Sequence, residues 1–281
     1  MLGVNQHNSL SRPVTAAAGA VPSPPELGVP DNSEPLPSTI LRIPEASPWV
    51  PGVSITMTDR EPVPGESIRV SRCTVAYSFT TPTTAYAVTA AHCGGPGDLV
   101  WAVAGDGEPD FSAPVGTFTY SDLYDPGTSL LDVGVIEITD PARVLNAPDL
   151  PAETVLIDRL DLPPEQVCKF GTTTGHTCGE ILLLHSRERL VDNNGRELPA
   201  VSSTARVCAR AGDSGGPGYM DLGHSNVIVG VVSGTRDGSP GSGCGDLEAE
   251  GMTMSYTPMT RSQDVGDRVI PDGLYRLEVV P

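Results

Sequence analysis

Short apolar runs separated by turn residues constrain the fold of this chain more than any other feature of its sequence. From about Trp49 onward these runs alternate or are rich in β-branched side chains, a pattern that favours strands. The chain holds 31 Gly and 28 Pro, which interrupt helices and mark turns. No sustained helical period occurs, apart from short turns after His92 and near the C-terminus. The sequence therefore predicts an all-β protein.

The predicted strands fall into two groups. They are 53–57, 73–77, 86–89, 99–103 and 133–138 in the first group, and 167–169, 179–184, 226–232 and 252–256 in the second. Asn193-Asn194-Gly195 predicts a hairpin turn, and clustered prolines over about 140–165 predict the link between the groups. These two groups, of five and four recognisable strands, imply two antiparallel β-barrels, which we expect to have six strands each.

The segment GDSGGP at 212–217 surrounds a serine with glycines. Glycine permits backbone angles that are closed to other residues, so such a loop can turn several N–H groups toward one point. A serine hydroxyl attacks a carbonyl when a base removes its proton and N–H donors stabilise the oxyanion that forms. Ser214 is therefore the candidate nucleophile, and the amides of Gly212 and Ser214 are the candidate oxyanion hole.

Two upstream residues complete a catalytic set. His92, in TAAHC, is the candidate general base because imidazole titrates near neutral pH. Asp132, in LLDVGVI, is the candidate for orienting that imidazole, because a carboxylate in so apolar a run is costly to bury without a partner. Asp122 and Asp125 are rival carboxylates, but they lie in a polar, turn-rich loop.

The order His92, Asp132, Ser214 is that of the chymotrypsin triad. With TAAHC and GDSGGP, the chain resembles the chymotrypsin-like (trypsin-fold) serine proteases over about residues 50–281. CARAGDS and CKFGTTTGHTCG further resemble the secreted actinobacterial enzymes of the streptogrisin and alpha-lytic protease group. The resemblance implies two barrels with the active site in the cleft between them, the first contributing His92 and Asp132 and the second Ser214.

The chain has six cysteines, and the sequence alone leaves their pairing open. The family resemblance implies the disulfides Cys73–Cys93, Cys168–Cys178 and Cys208–Cys244. Disulfides indicate an oxidising compartment and therefore export. A zinc site is the competing interpretation of these cysteines, but the chain lacks a C-x-x-C pair and its histidines are scattered. We therefore expect neither a metal nor a cofactor.

The resemblance also implies that Asp213 is buried and that its carboxylate holds the oxyanion loop, the segment 212–214 that supplies the candidate oxyanion hole. Bacterial relatives carry an arginine for this purpose at the position of Lys169. We therefore predict a Lys169–Asp213 ion pair, weaker than an arginine pair because lysine offers a point charge and not a two-pronged donor. The alternative is a solvent-exposed Lys169.

Substrate binding is expected at the segment VVSGT. Ser233 resembles the family serine that hydrogen-bonds the triad aspartate, and Ser233, Gly234 and Thr235 resemble the segment that pairs with an extended substrate. Thr235 replaces the usual glycine, so we expect a narrowed primary pocket. Arg206 resembles the residue at the base of that pocket and could favour acidic side chains before the cut bond. The alternative is an Arg206 directed to solvent.

Residues 1–48 hold nine prolines and no cysteine. We predict an extended or disordered tail there, with a propeptide remnant as the alternative. The protease domain is predicted over 49–281, with barrels over about 49–145 and 165–281. Residues 1–20 lack the basic start and the apolar stretch of a signal peptide, yet the cysteines favour secretion.

The formal net charge of −18 disfavours binding to nucleic acid and to anionic membranes. The sequence as a whole predicts a secreted serine endopeptidase that acts on proteins or peptides through an acyl-enzyme, and the resemblance implies a monomer. The rival is a protease-fold binding protein with weakened or absent catalysis, slightly favoured by Gly218 and Thr235. An esterase without peptide substrates is a lesser alternative.

Overall fold

The computed structural model describes residues 40–42, 48–143 without 106, 126, 128 and 129, then 145, 155–158, 166–221 without 193 and 194, 226–236, 244, 252–270 and 278–279. The strands within these ranges are β1 (Ile40–Arg42), β2 (Ser54–Thr58), β3 (Val70–Thr74), β4 (Tyr77–Thr80), β5 (Ala85–Thr89), β6 (Leu99–Val103), β7 (Pro109–Asp110), β8 (Gly116–Ser121), β9 (Gly134–Ile138), β10 (Val155–Asp158), β11 (Gln166–Gly171), β12 (Gly175–Val191), β13 (Glu197–Ala205), β14 (Pro217–Asp221), β15 (Asn226–Arg236), β16 (Thr253–Pro258) and β17 (Glu278–Val279). The helical elements are a first 3₁₀ turn (Ala91–Cys93), a second 3₁₀ turn (Asp122–Tyr124) and the helix α1 (Met259–Val269).

The first sheet runs in the order β3-β2-β6-β8-β9-β5-β4, and β7 pairs with β6. Its end strands, β3 and β4, are separated in the chain only by Val75 and Ala76. The N–H of Val75 donates to the carbonyl of Val53, and the N–H of Ala76 donates to that of Val88. The sheet thus curls until the chain itself joins its two ends.

The second sheet contains a closed ring of six strands. The ring order is β14-β11-β12-β13-β16-β15, and a further pairing of β14 with β15 closes it. Strands β10, β1 and β17 extend the sheet beyond β15. Closure removes exposed strand edges, which is how all-β domains of this size avoid unpaired backbone groups. The all-β, two-barrel prediction is therefore confirmed.

The barrels meet along an apolar layer that follows from strand alternation. Ala87 of β5 faces the core of the first barrel, whereas its neighbour Val88 faces the junction with the second. Across the junction lie Ile228 and Val231 of β15. This shared apolar layer packs the two barrels against each other. No helix among the described residues has the length and apolarity that a membrane span needs.

The observed elements differ from the predicted ones in several places. Strands β8, β13 and β14 are absent from the predicted set, and β12 runs far beyond 179–184. Two register shifts along β12, and a positive φ at His185, let this long strand stay paired with β13. The predicted turn residues 193 and 194 lie outside the described residues, as does the predicted tail 1–48 except for 40–42 and 48.

Candidate active site

His92 lies in the first 3₁₀ turn, directly after β5, and its ring is held by Asp132. The distance between His92 Nδ1 and Asp132 Oδ2 is 2.7 Å, and the backbone N–H of His92 donates to Asp132 Oδ1 at 2.9 Å. The Asp132 side chain is 1% exposed. Both carboxylate oxygens thus engage one residue, which fixes the ring and leaves Nε2 as the nitrogen that can accept a proton.

The charge around His92 makes it a stronger base. Burial lowers the pKa of the imidazole, but the charge of Asp132 and its hydrogen bond raise it, with a smaller contribution from Asp192. The net result is a pKa above the ordinary value of 6.5. A raised pKa favours removal of a proton from a hydroxyl.

Ser214 lies in the loop before β14 and shares a cleft of about 1370 Å³ with His92 and Gly212. Its carbonyl accepts the N–H of Thr74, at the end of β3, at 2.8 Å. Its Oγ donates to the Ser233 carbonyl at 3.4 Å. The structure therefore joins His92 and Asp132 by hydrogen bonds and places His92 and Ser214 on the lining of the same cleft.

Two glycines with positive φ turn the chain on either side of Ser214, Gly212 at 101° before it and Gly215 at 84° after it. The Ala211 carbonyl accepts a hydrogen bond from Thr173 Oγ1 at 2.7 Å. Because carbonyl and N–H point in opposite directions across a trans peptide, this bond turns the Gly212 N–H away from Thr173. Within the described part of the chain, no hydrogen bond uses the N–H of Gly212 or of Ser214. Both amides are available to a ligand.

Asp213 is fully buried, and its carboxylate collects donors from three segments. Lys169 Nζ lies 3.1 Å from Oδ2, and the N–H of Arg210 donates to the same oxygen at 2.9 Å. The amides of Thr173 and Thr174 donate to Oδ1 at 2.9 and 3.0 Å. These bonds tie the loop that carries Ser214 to β11 and to the turn that follows it.

Lys169 is buried and not solvent-exposed. Burial lowers the pKa of its ammonium group, and the charge of Asp213 offsets part of that shift. Its Nζ also donates to the Gly175 carbonyl at 2.9 Å and to Thr174 Oγ1. Gly171 makes this arrangement possible, because a Cβ there would lie 2.3 Å from Asp213 Oδ1. No feature of the sequence indicates that the Asp213 side chain lies against the backbone of Gly171.

The structure contains the three disulfides implied by the resemblance, Cys73–Cys93, Cys168–Cys178 and Cys208–Cys244. The first joins β3 to the 3₁₀ turn of His92, and the second spans the β11–β12 hairpin beside Lys169. Two cysteine pairs lie near histidines, His92 and His176. Their sulfurs are bonded to each other, so these thiols do not act as metal ligands.

The predicted substrate segment sits on a β-bulge. Val232 pairs with Tyr256 and Gly234 with Ser255, so Ser233 is the extra residue on β15. Ser233 Oγ lies 3.4 Å from Thr257 Oγ1, which differs from the expected bond to Asp132. Ser233 Oγ is directed instead to the neighbouring strand β16, which carries Thr257.

The other two specificity residues lie at the surface. Thr235 is exposed and pairs with Met254. Arg206 is exposed, forms an ion pair with Glu180 at 2.6 Å, and is not among the residues that line the cleft. The structure thus agrees with the alternative in which Arg206 is directed to solvent, because Glu180 on the neighbouring strand β12 offers it a carboxylate at the surface.

A cluster beside His92 escaped the sequence analysis. Asp192, at the end of the β12–β13 hairpin, accepts from Tyr124 OH at 3.2 Å and from Arg196 Nε at 2.8 Å. The Arg196 guanidinium lies 4.8 Å from the centre of the Tyr124 ring. Tyr124 and Arg196 line a smaller pocket with His92. No sequence signal marks this cluster, because it depends on how far the hairpin reaches toward the first barrel.

Comparison with known proteins places this geometry in context. The trypsin family model matches residues 67–253. Streptogrisin-C of Streptomyces griseus is 30% identical over 145 residues, which cover 52% of this chain and 29% of that protein, so the chain matches less than a third of its length. An uncharacterized protein of Mycobacterium tuberculosis is 27% identical over 202 residues, covering 67% of this chain and 82% of its own length. Thermobifida fusca protease A superimposes with a TM-score of 0.50 at 23% identity, covers 77% of this chain and 95% of its own, and shares the fold.

Proposed function

Because the chain belongs to the trypsin family of serine proteases, we propose that Ser214, His92 and Asp132 form its catalytic triad and that it is a secreted endopeptidase. The observation that carries the proposal is the 2.7 Å contact between His92 Nδ1 and Asp132 Oδ2, which leaves the other ring nitrogen for the cleft that Ser214 lines. That orientation is what a general base for a serine nucleophile requires.

The reaction then follows two steps. His92 takes the proton of Ser214 as its Oγ attacks the peptide carbonyl, and it passes that proton to the leaving amine, which yields the acyl-enzyme and frees the first product. In the second step His92 takes a proton from water as the water attacks the ester, and it returns that proton to Ser214 Oγ as the acid is released. Asp132 stabilises the imidazolium in both steps. The unused amides of Gly212 and Ser214 hold the oxyanion, a contribution typically worth about 100- to 1000-fold in rate per donor.

Active-site labelling tests the triad. A fluorophosphonate probe should label the wild-type protein, and neither Ser214→Ala nor His92→Ala should be labelled. Ser262→Ala, a buried serine of α1 whose Oγ donates to the Pro258 carbonyl, is the matched control and should be labelled like wild type. A folded wild-type protein that resists the probe would favour the binding-protein alternative. Labelling without peptide cleavage would favour the esterase.

The substrate is proposed to be an extended protein or peptide segment that pairs with Ser233, Gly234 and Thr235. The bulge at Ser233 and the exposure of Thr235 support this, because they leave the end of β15 accessible beside Ser214. Digestion of a peptide library by wild type and by Thr235→Gly tests whether Thr235 narrows the primary substrate pocket. The variant should accept larger residues before the cut bond, and unchanged preferences would remove Thr235 from the pocket.

Secretion is proposed from the three disulfides, which persist in oxidising compartments. Immunoblotting of cells and culture medium tests it, and protein confined to the cell interior would refute it. A monomer that binds neither nucleic acid nor membranes remains part of the proposal, in keeping with the net charge of −18.

A further inference from the structure

The segment that delivers Asp132 to His92 has a backbone conformation that side chains rarely adopt. Leu130 has a φ of 58°, in the left-handed region where a Cβ meets the backbone. Such a conformation persists only when the surrounding structure holds it. The contacts of Leu130 and Leu131 therefore decide where the Asp132 carboxylate stands.

A second buried carboxylate makes the shortest of these contacts. The Leu131 N–H donates to Asp122 Oδ2 at 2.7 Å. By comparison, the Leu130 carbonyl accepts from the N–H of Val201 at 3.4 Å, and the Asp132 carbonyl accepts from a threonine hydroxyl at 3.5 Å. Hydrogen bonds to a charged acceptor are also the stronger kind. Asp122 is thus the main anchor of the turn.

Asp122 is in turn held from two sides. Tyr120 OH donates to Oδ1 at 2.9 Å, and Arg268 Nη2, from the last turn of α1, donates to the same oxygen. Burial and the contact with Asp122 raise the pKa of Tyr120 to about 12, so the phenol keeps its proton and remains a donor. Arg268 supplies the cation that a fully buried carboxylate requires.

We infer that Asp122 is a positioning residue for the Asp132 carboxylate. Anchored by α1 and by Tyr120, it holds the Leu131 amide and thereby fixes the strained turn that presents the triad acid to His92. The inference rests on the proposed triad. Asp122 acts through the backbone and not on substrate, so a helix near the C-terminus takes part in aligning a residue of the first barrel.

The variant Asp122→Asn tests the inference. An amide offers one acceptor oxygen, so the donors that converge on this side chain cannot all be satisfied. We expect kcat to fall by about 10- to 100-fold with KM nearly unchanged, because misplacing a catalytic group slows chemistry without removing substrate contacts. The downfield proton NMR resonance of the His92 Nδ1 hydrogen bond should shift or broaden. A purely structural role would lower thermal stability and leave this resonance and kcat unchanged.

The matched control is Asp110→Asn, because the Asp110 carboxylate likewise accepts a backbone N–H, that of Ser112 at 2.9 Å, and pairs with an arginine, Arg143. It should leave kcat and the resonance as in wild type. Full activity and an unchanged resonance in Asp122→Asn would overturn the inference. A wild-type protein that cleaves no peptide would refute the proposed function instead, and the resonance would still test Asp122.

Hydrogen exchange decides the matter if Asp122→Asn does not fold. In the wild-type protein, the Leu131 amide should exchange as slowly as that of Val135 in β9, because its partner is a fully buried carboxylate. A Leu131 amide that exchanges as fast as those of exposed loops would overturn the inference without any variant.

Discussion

Lys169 Nζ and Asp213 Oδ2 lie 3.1 Å apart, and neither side chain is exposed to solvent. Removing the cation should therefore leave a buried charge uncompensated. We expect Lys169→Met to lower the free energy of unfolding by about 3–5 kcal/mol, as measured by urea titration. We also expect kcat to fall by about 100-fold, because the oxyanion loop loses an anchor.

The control for this variant is Arg189→Met, which removes a cation from the exposed pair with Glu197. Exposed ion pairs contribute little, so its unfolding and its kinetics should match those of wild type. Equal losses in the two variants would show that Lys169 has no special role.

The acid limb of the pH–rate profile should report His92, since only the neutral imidazole accepts the Ser214 proton. Because the pKa of His92 is raised, the midpoint of the limb should lie above 6.5. Asp192→Asn removes a charge that contributes to the raised pKa, so the limb should move to lower pH. Profiles of kcat/KM from about pH 5 to 9 measure this. Glu197→Gln, on the same hairpin, should leave the limb in place, and a shift to higher pH in Asp192→Asn would contradict the assignment.

The raised pKa of His92 makes stability depend on pH in the direction opposite to activity: activity is lost as the pH falls, whereas stability is lost as the pH rises. Its pKa in the folded protein exceeds that in the unfolded chain, so protonation favours folding. This contribution is complete below about pH 6.5 and is lost as the pH rises through the folded pKa. The difference in unfolding free energy between wild type and His92→Gln should therefore shrink as the pH rises. A difference that grows with pH would contradict the shift.

Gly171→Ala should inactivate the enzyme. The added Cβ would meet Asp213 Oδ1 at 2.3 Å, so the carboxylate and the oxyanion loop would have to move. Gly218→Ala is the matched control, because Gly218 lies opposite Lys169 in the β11–β14 pair and its Cβ would meet nothing closer than 3.6 Å. Labelling with the fluorophosphonate probe should be lost in the first variant and kept in the second. Labelling retained in both would place the glycine outside the active-site support.

Thr74→Val removes a hydroxyl that links the barrels. Thr74 Oγ1 donates to the Gly212 carbonyl at 2.7 Å and accepts the N–H of Thr172 at 3.2 Å. We expect about 0.5–1.5 kcal/mol of lost unfolding free energy, because two hydrogen bonds are removed but the Gly212 carbonyl keeps the one from Thr172 Oγ1 at 3.1 Å. Thr56→Val is the isosteric control, since Thr56 Oγ1 is buried and lacks a hydrogen-bond partner among the described residues. It should leave stability unchanged or raise it, and the same loss in both variants would contradict the argument.

Local sequence patterns located some strands well and others poorly. The predicted strand 99–103 coincides with β6, where a continuous apolar run, LVWAV, is flanked by turns. Strand β14 was missed because Pro217 and Gly218 are turn signals in isolation. Their pairing with β11 and β15 is imposed by closure of the second barrel. Closure is a tertiary constraint that residue propensities do not contain.

The same distinction applies to the candidate site. The motif residues His92, Asp132 and Ser214 could be chosen from the sequence because their chemistry and order are recognisable. Asp122 was considered only as a rival triad acid, because its loop is polar in sequence. Its actual partners include Arg268, which lies 146 positions away in the chain. Supporting contacts between residues so far apart in the sequence cannot be predicted from local composition.

Lys169 is the only lysine in the chain, and it is buried. An amine-acylating reagent would therefore find no ε-amine on the native surface. It would modify Lys169 only in molecules in which the loop that carries Asp213, or the turn at Thr174 and Gly175, had moved away from this amine. The fraction of the Lys169 peptide that carries the added acyl mass would measure how often this part of the active site opens, without any engineered probe.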